Sequence, residues 1–161
     1  MSLKVLSLTV PKQFDFDYPD EKKLRHALSD FGFNALCEID GKKGKLVFSF
    51  KKGCPYNGAS NPFCSWPIKT FYNDSHKDAC GLGHDSLYAW GGEVQGLSRK
   101  LKAGECDDYI RGAMRCAGFS RCDAGIVDFA VRFFSHCLHF GKKRDKEGMH
   151  ELCSVCWVEG E

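Results

Sequence analysis

The segment that most restricts the fold runs from Ser75 to Trp90, because it reads as a helix yet carries two glycines, Gly81 and Gly83, in its interior. An interior glycine costs a helix about 1 kcal/mol relative to alanine, so the pair predicts that another backbone or a ligand approaches this helix closely. Ser75 is a good N-cap with Asp78 in the capping-box position, and Gly91-Gly92 stops the helix after Trp90. Residues three and four apart are neighbours, which puts Cys80, His84, Leu87 and Tyr88 on one face and turns Asp85 about a quarter-turn away.

Two further helices follow. One covers Ala103 to Ala117 and ends at Gly118, with an inward stripe of Cys106, Asp107, Ile110, Ala113, Met114 and Ala117. Asp107 thus lies among apolar residues and needs a partner, whereas Asp108 falls with Arg111 and Arg115 on the wet face. The other helix is capped by Ser120 with Asp123 and runs to Gly141; it is apolar on nearly every side, which predicts a place in the middle of the core.

Before these helices, residues 4–10 alternate like a strand ended by Pro11, Pro19 to Asp30 reads as a short charged helix, and the runs Ala35 to Ile39 and Lys45 to Phe50 flank Asp40-Gly41-Lys-Lys-Gly44, which is hairpin chemistry. That predicts a small sheet at most. Residues 51–74, rich in turn formers, read as an ordered loop; the stretch from Lys142 to Gly148 is charged, and His150 to Val158 returns to the body. The expected fold class is mainly α (α+β): two facing helices carrying a His–Asp pair, a buried third helix, and a small N-terminal β-hairpin. At 161 residues the chain fits one domain, made of an N-terminal part to residue 50, a loop and three-helix core over 51–141, and a terminal segment over 142–161.

Charge adds an exclusion. Lys and Arg exceed Asp and Glu by two, too little to suggest nucleic acid as a partner. No run of about 18 apolar residues is present, and the N-terminus lacks the marks of a signal peptide, so the expected location is cytoplasmic as synthesised. Ten cysteines in such a chain are read as mostly reduced, buried thiols. Cys153 and Cys156, with His150 beside them and His136 and His139 upstream, have a spacing that zinc could use, and a local disulfide is also open; a second C-x-x-C is missing.

Two antiparallel helices would press His84 against Asp107. A histidine held by a buried carboxylate is a general base of fixed tautomer that can take a proton from water, the core of a hydrolase with no protein nucleophile. Tyr88, one turn from His84, is placed to reach Asp107. Asp85, with oxygens from the loop around Asn57-Gly58, could hold calcium. Phe63, Trp66, Ile68, Phe71 and Tyr72 could form an apolar rim for substrate on a phospholipid or membrane surface, or cover the end of the core. The competing reading makes His84, Asp107 and Tyr88 a buried polar network that fixes the helix pair.

The ordered set Gly58-Ala59-Ser60, His84-Asp85-Ser-Leu-Tyr88, Ser98-Arg99, Cys106-Asp107-x-x-Ile110, Ala113-Met114 and Ala130-Val131-Arg132 resembles an uncharacterised phage and prophage family of unknown function, over about residues 45–135. That family's H-D-x-x-Y with a later small residue and Asp is in turn similar to phospholipase A2. The resemblance implies that His84 is the base, Asp85 a calcium ligand and Asp107 the residue that orients the base, with lipid as substrate. It also implies an association with other phage proteins or a virion, including the alternative of a non-enzymatic structural or lysis-module protein. Two departures stand out: the glycine-rich calcium loop is reduced to Tyr56-Asn57-Gly58-Ala59-Ser60, with Asn57 where the family usually has Asp, and Leu87 stands where the secreted enzymes have a cysteine that would pair with Cys106.

Overall fold

The structure, a computed structural model, describes residues 2–17, 24–56, 75–135 and 148–160. Its sheet is organised by one hairpin. Asp40 and Gly41 take positive φ angles of 53° and 81°, the conformation of a type I′ turn, whose twist matches that of the strands it joins. Ile39 therefore pairs directly with Lys42, and the pairing runs back to Phe31 opposite Phe50. The two strands, β1 being Leu3–Thr9 and β2 Arg25–His26, are β3 (Phe31–Ile39) and β4 (Lys42–Phe50). Both are longer than the apolar runs suggested, because Gly32 and Gly44 are strand residues: a side chain on Gly32 would meet the Phe48 carbonyl at 2.7 Å, and one on Gly44 would run into the Trp157 ring.

Alternation puts Phe31, Phe33, Ala35, Cys37 and Ile39 of β3, and Leu46, Phe48 and Phe50 of β4, on the buried face. Rings stack across the pair, with Phe33 and Phe48 centroids 4.7 Å apart and those of Phe31 and Phe50 4.8 Å apart. β1 adds antiparallel to β3 with an irregularity between Val5 and Ser7. On the other edge β6 (Cys153–Glu159), preceded by the single turn α4 (Met149–Leu152), adds antiparallel to β4. The order is β1-β3-β4-β6, and β2 pairs separately with β5 (Pro55–Tyr56).

Three longer helices, α1 (Ser75–Ala89), α2 (Ala103–Cys116) and α3 (Arg121–Ser135), complete the fold. α2 is the middle one: it packs on β1, where Gly112 brings its backbone down onto Val5, and contacts α1 and α3.

Three expectations are corrected. The fold is α+β and not mainly α, because the C-terminal segment is a strand that pairs with β4 from Gly44 to Phe50 and the N-terminal strand pairs with β3, turning a hairpin into a four-stranded sheet. The helix in the middle of the core is α1, with twelve of its fifteen residues buried. α3 lies outside: Ala124 and Val127 face α2, while Ile126, Phe129 and Phe133 are 39%, 70% and 66% exposed. The charged helix does not extend over 24–30, where Arg25 and His26 pair with Tyr56 and Pro55, and Ala27 bridges Phe16; residues 18–23 lie outside the described residues.

Candidate functional site

The site depends on how α1 and α2 are joined and spaced. Gly91 and Gly92 have φ of 60° and 76°, which lets the Gly91 and Gly92 N–H groups return to the carbonyls of Tyr88 and Leu87 and close the end of α1. Gly92 then lies against the backbone of Leu101, whose N–H donates to the Gly92 carbonyl at 2.8 Å, so the chain reverses within about ten residues. Glu105 starts α2 by accepting from the Lys102 N–H at 2.8 Å, and its carboxylate is held at both oxygens by the Arg99 guanidinium at 2.6 and 2.8 Å. Arg99 also donates to Asp40 at 2.6 Å, tying the hairpin turn to the start of α2.

The interior glycines of α1 receive tyrosines. A side chain on Gly81 would meet the Tyr56 hydroxyl at 2.6 Å, and one on Gly83 would overlap the Tyr109 ring. The Tyr109 hydroxyl donates to the Ala79 carbonyl at 3.2 Å, so this ring sets the distance between α1 and α2. The close approach expected at these glycines comes from side chains of this chain.

At that spacing His84 Nε2 lies 3.2 Å from Asp107 Oδ1, and the same oxygen accepts from the Tyr88 hydroxyl at 2.7 Å. His84 Nδ1 lies 3.3 Å from Asp85 Oδ1. Both ring nitrogens therefore face carboxylates, one on each side. Asp107 is fully buried and His84 is 4% exposed, while the Asp85 side chain is 36% exposed. Burial pulls the His84 pKa down, but the hydrogen bonds and charges of Asp107 and Asp85 outweigh it and the net shift is upward from 6.5. Burial and the adjacent Asp107 carboxylate hold the Tyr88 phenol protonated, so it stays a donor. Burial also raises the Cys106 thiol, next to Asp107, well above its ordinary value.

The structure thus brings His84, Asp107, Tyr88 and Asp85 together. Asn57 and Gly58, proposed to complete a calcium site, and the rim residues Phe63, Trp66, Ile68, Phe71 and Tyr72 lie outside the described residues, as do His136 and His139. Asp85 offers a half-exposed carboxylate oxygen, the donor a hard cation takes; no group of three or more His, Cys, Asp or Glu among the described residues is set to hold a metal. Cys153 and Cys156 sit on opposite faces of β6, Cys153 buried and Cys156 3.3 Å from the Gln95 side-chain oxygen, while the His150 ring stands edge-on to Trp90. A spacing of three that would converge on a helix diverges on a strand.

Several polar groups near the site had no clear sequence signal. Asp78 lies 3.7 Å from the Arg25 guanidinium, which stacks on Phe16 and Tyr56, and the Ser75 hydroxyl accepts from the Phe14 N–H at 2.8 Å. Asp108, partly exposed on α2, accepts from Arg132 of α3 at 2.6 Å, and Arg132 also bonds Asp128 at 2.8 Å. These contacts join segments far apart in sequence, which periodicity does not reveal. No helix among the described residues is long and apolar enough to cross a membrane. Comparison with protein-family models, with curated proteins and with solved structures finds no match.

Proposed function

We propose that this protein is a hydrolase in which His84 activates water against an ester, with a lipid ester as the substrate class. The observation that carries the reading is the placement of His84 between two carboxylates of unequal exposure. Asp107, sealed and braced by Tyr88, holds the Nε2–H tautomer; Nδ1 faces Asp85, whose side chain is 36% exposed. A water there would give its proton to Nδ1, its oxygen would bond to the ester carbonyl carbon, and the positive charge on the ring would be stabilised by Asp107. Collapse of the tetrahedral intermediate returns the proton to the leaving alcohol. The likeness of His84-Asp85-x-x-Tyr88 and Asp107 to phospholipase A2 supports the same roles. Calcium, held by Asp85 with oxygens of Asn57 and Gly58, would supply positive charge opposite the developing oxyanion.

A second reading is favoured by one observation, the near-complete burial of His84 and Asp107: a non-enzymatic, phage-related structural or accessory protein in which His84, Asp107 and Tyr88 lock α1 to α2. Fatty-acid release from mixed anionic and neutral phospholipid vesicles separates the two. The hydrolase gives release with calcium that falls in chelator and drops to background in folded His84→Gln and Asp107→Asn variants. Release no higher than that of the variants, on every lipid tried, supports the structural protein.

A further inference from the structure

Two cysteines far apart in sequence meet at one residue of β1. Val5 pairs directly with Cys37 of β3, and both side chains are buried on the face of the sheet that α2 covers. Over Val5, Gly112 brings the α2 backbone so close that a side chain there would meet the Val5 β-carbon at 3.0 Å. Cys116, the last residue of α2, follows one turn later, and its thiol is directed at the Val5 carbonyl oxygen at 4.0 Å. Residues four apart share a helix face, so Cys116 is turned to the sheet beside Val5, where Cys37 lies. The two sulfurs are close enough to feel each other's charge: Cys116 raises the Cys37 thiol, and Tyr109, in the same core, feels both.

The pair is unequal in access. Cys37 is fully buried and Cys116 exposed, and both are free thiols. We propose that Cys37 and Cys116 are a reversible redox pair whose disulfide fastens the end of α2, the helix that carries Asp107, to strand β3. With glutathione disulfide as the oxidant, the Cys116 thiolate attacks one sulfur of the reagent, which forms a mixed disulfide and releases one glutathione thiolate. The Cys37 thiolate then attacks the Cys116 sulfur and releases the second. The two cysteine protons end on the two glutathione thiols, and two electrons pass from the protein to the reagent. Burial pushes the Cys37 thiol up to about 12 and also raises Cys116, so the exchange is slow at neutral pH and speeds up as pH rises. Once formed, the bond closes a long loop that includes α1 and most of α2, and it stabilises the fold chiefly by restricting the unfolded chain.

The test holds the reduced full chain with glutathione disulfide at about pH 8.5, the ordinary thiol pKa. Remaining thiols are then alkylated in denaturant and the linkages read by peptide mass mapping, for wild type, Cys37→Ala and Cys116→Ser. Cys116 is exposed, so its variant keeps the fold even where a change at buried Cys37 does not. The expected result is a Cys37–Cys116 linkage free of glutathione, with a melting temperature above that of the reduced chain, both reversed by dithiothreitol. In Cys116→Ser the linkage and the rise are both absent. Wild type that stays unlinked, or that keeps glutathione on Cys116 while Cys37 is alkylated, overturns the proposal. So does a linkage of Cys116 to Cys122, or a rise in melting temperature that persists in Cys116→Ser.

Discussion

His84 is the residue at which stability and chemistry are linked. With its folded pKa raised above 6.5, the protonated ring between Asp85 and Asp107 contributes stability that is fully present below pH 6.5 and lost as pH rises through the folded value. Urea unfolding in chelator should therefore show wild type exceeding His84→Gln by most below pH 6.5, with the gap shrinking as pH rises; a gap independent of pH contradicts the assignment. The same shift requires hydrolysis to increase with pH as Nδ1 loses its proton. Tyr88→Phe removes a donor from a fully buried carboxylate, an expected loss of about 1.5–3 kcal/mol. If Tyr88 only braces Asp107, the variant retains most of its turnover once folded. The residues of this site were legible because three of the four lie within one turn and a half of one helix. Asp107 was legible because a carboxylate interrupts an apolar stripe.

At the scale of elements, the α1–α2 pair is set by glycine and tyrosine in combination. Gly83→Ala forces a methyl group into the Tyr109 ring, with an overpacking penalty of about 1–3 kcal/mol that exceeds the gain in helix propensity. In α3, a side chain on Gly125 would meet nothing within 4 Å among the described residues. Thermal melts of Gly83→Ala and Gly125→Ala side by side should shift in opposite directions; a stabilised Gly83→Ala would show that Tyr109 does not set the spacing. The sequence announced that something fills these notches, but not what, since Tyr56 and Tyr109 come from segments 25 residues or more away in one case and from the opposing helix in the other. The misplacement of α3 has a physical origin as well. Its apolar residues on several sides look like full burial, yet among the described residues it is Ala124, Val127 and the partly buried Val131 that pack inward, against a core already formed by the sheet, α1 and α2.

For the whole molecule, closure depends on the C-terminal strand. β6 supplies the Trp157 ring that covers Gly44, and its backbone is gripped on the far side by Gln95, whose carbonyl accepts from the Trp157 N–H at 2.7 Å. Trp157→Ala should destabilise the protein by about 3–5 kcal/mol, read by denaturant titration, although it lies outside the site. A loss below about 1 kcal/mol would place β6 outside the cooperative unit. The four-stranded sheet was not legible because pairing of the first and last strands to one hairpin is long-range, and two strand glycines hid the length of the hairpin. The role of His84 is decided by calcium-dependent fatty-acid release by wild type and His84→Gln at equal folded concentration. A hydrolytic His84 gives release by wild type that rises with pH and is absent in the variant; release equal in both, or none in either, contradicts that role.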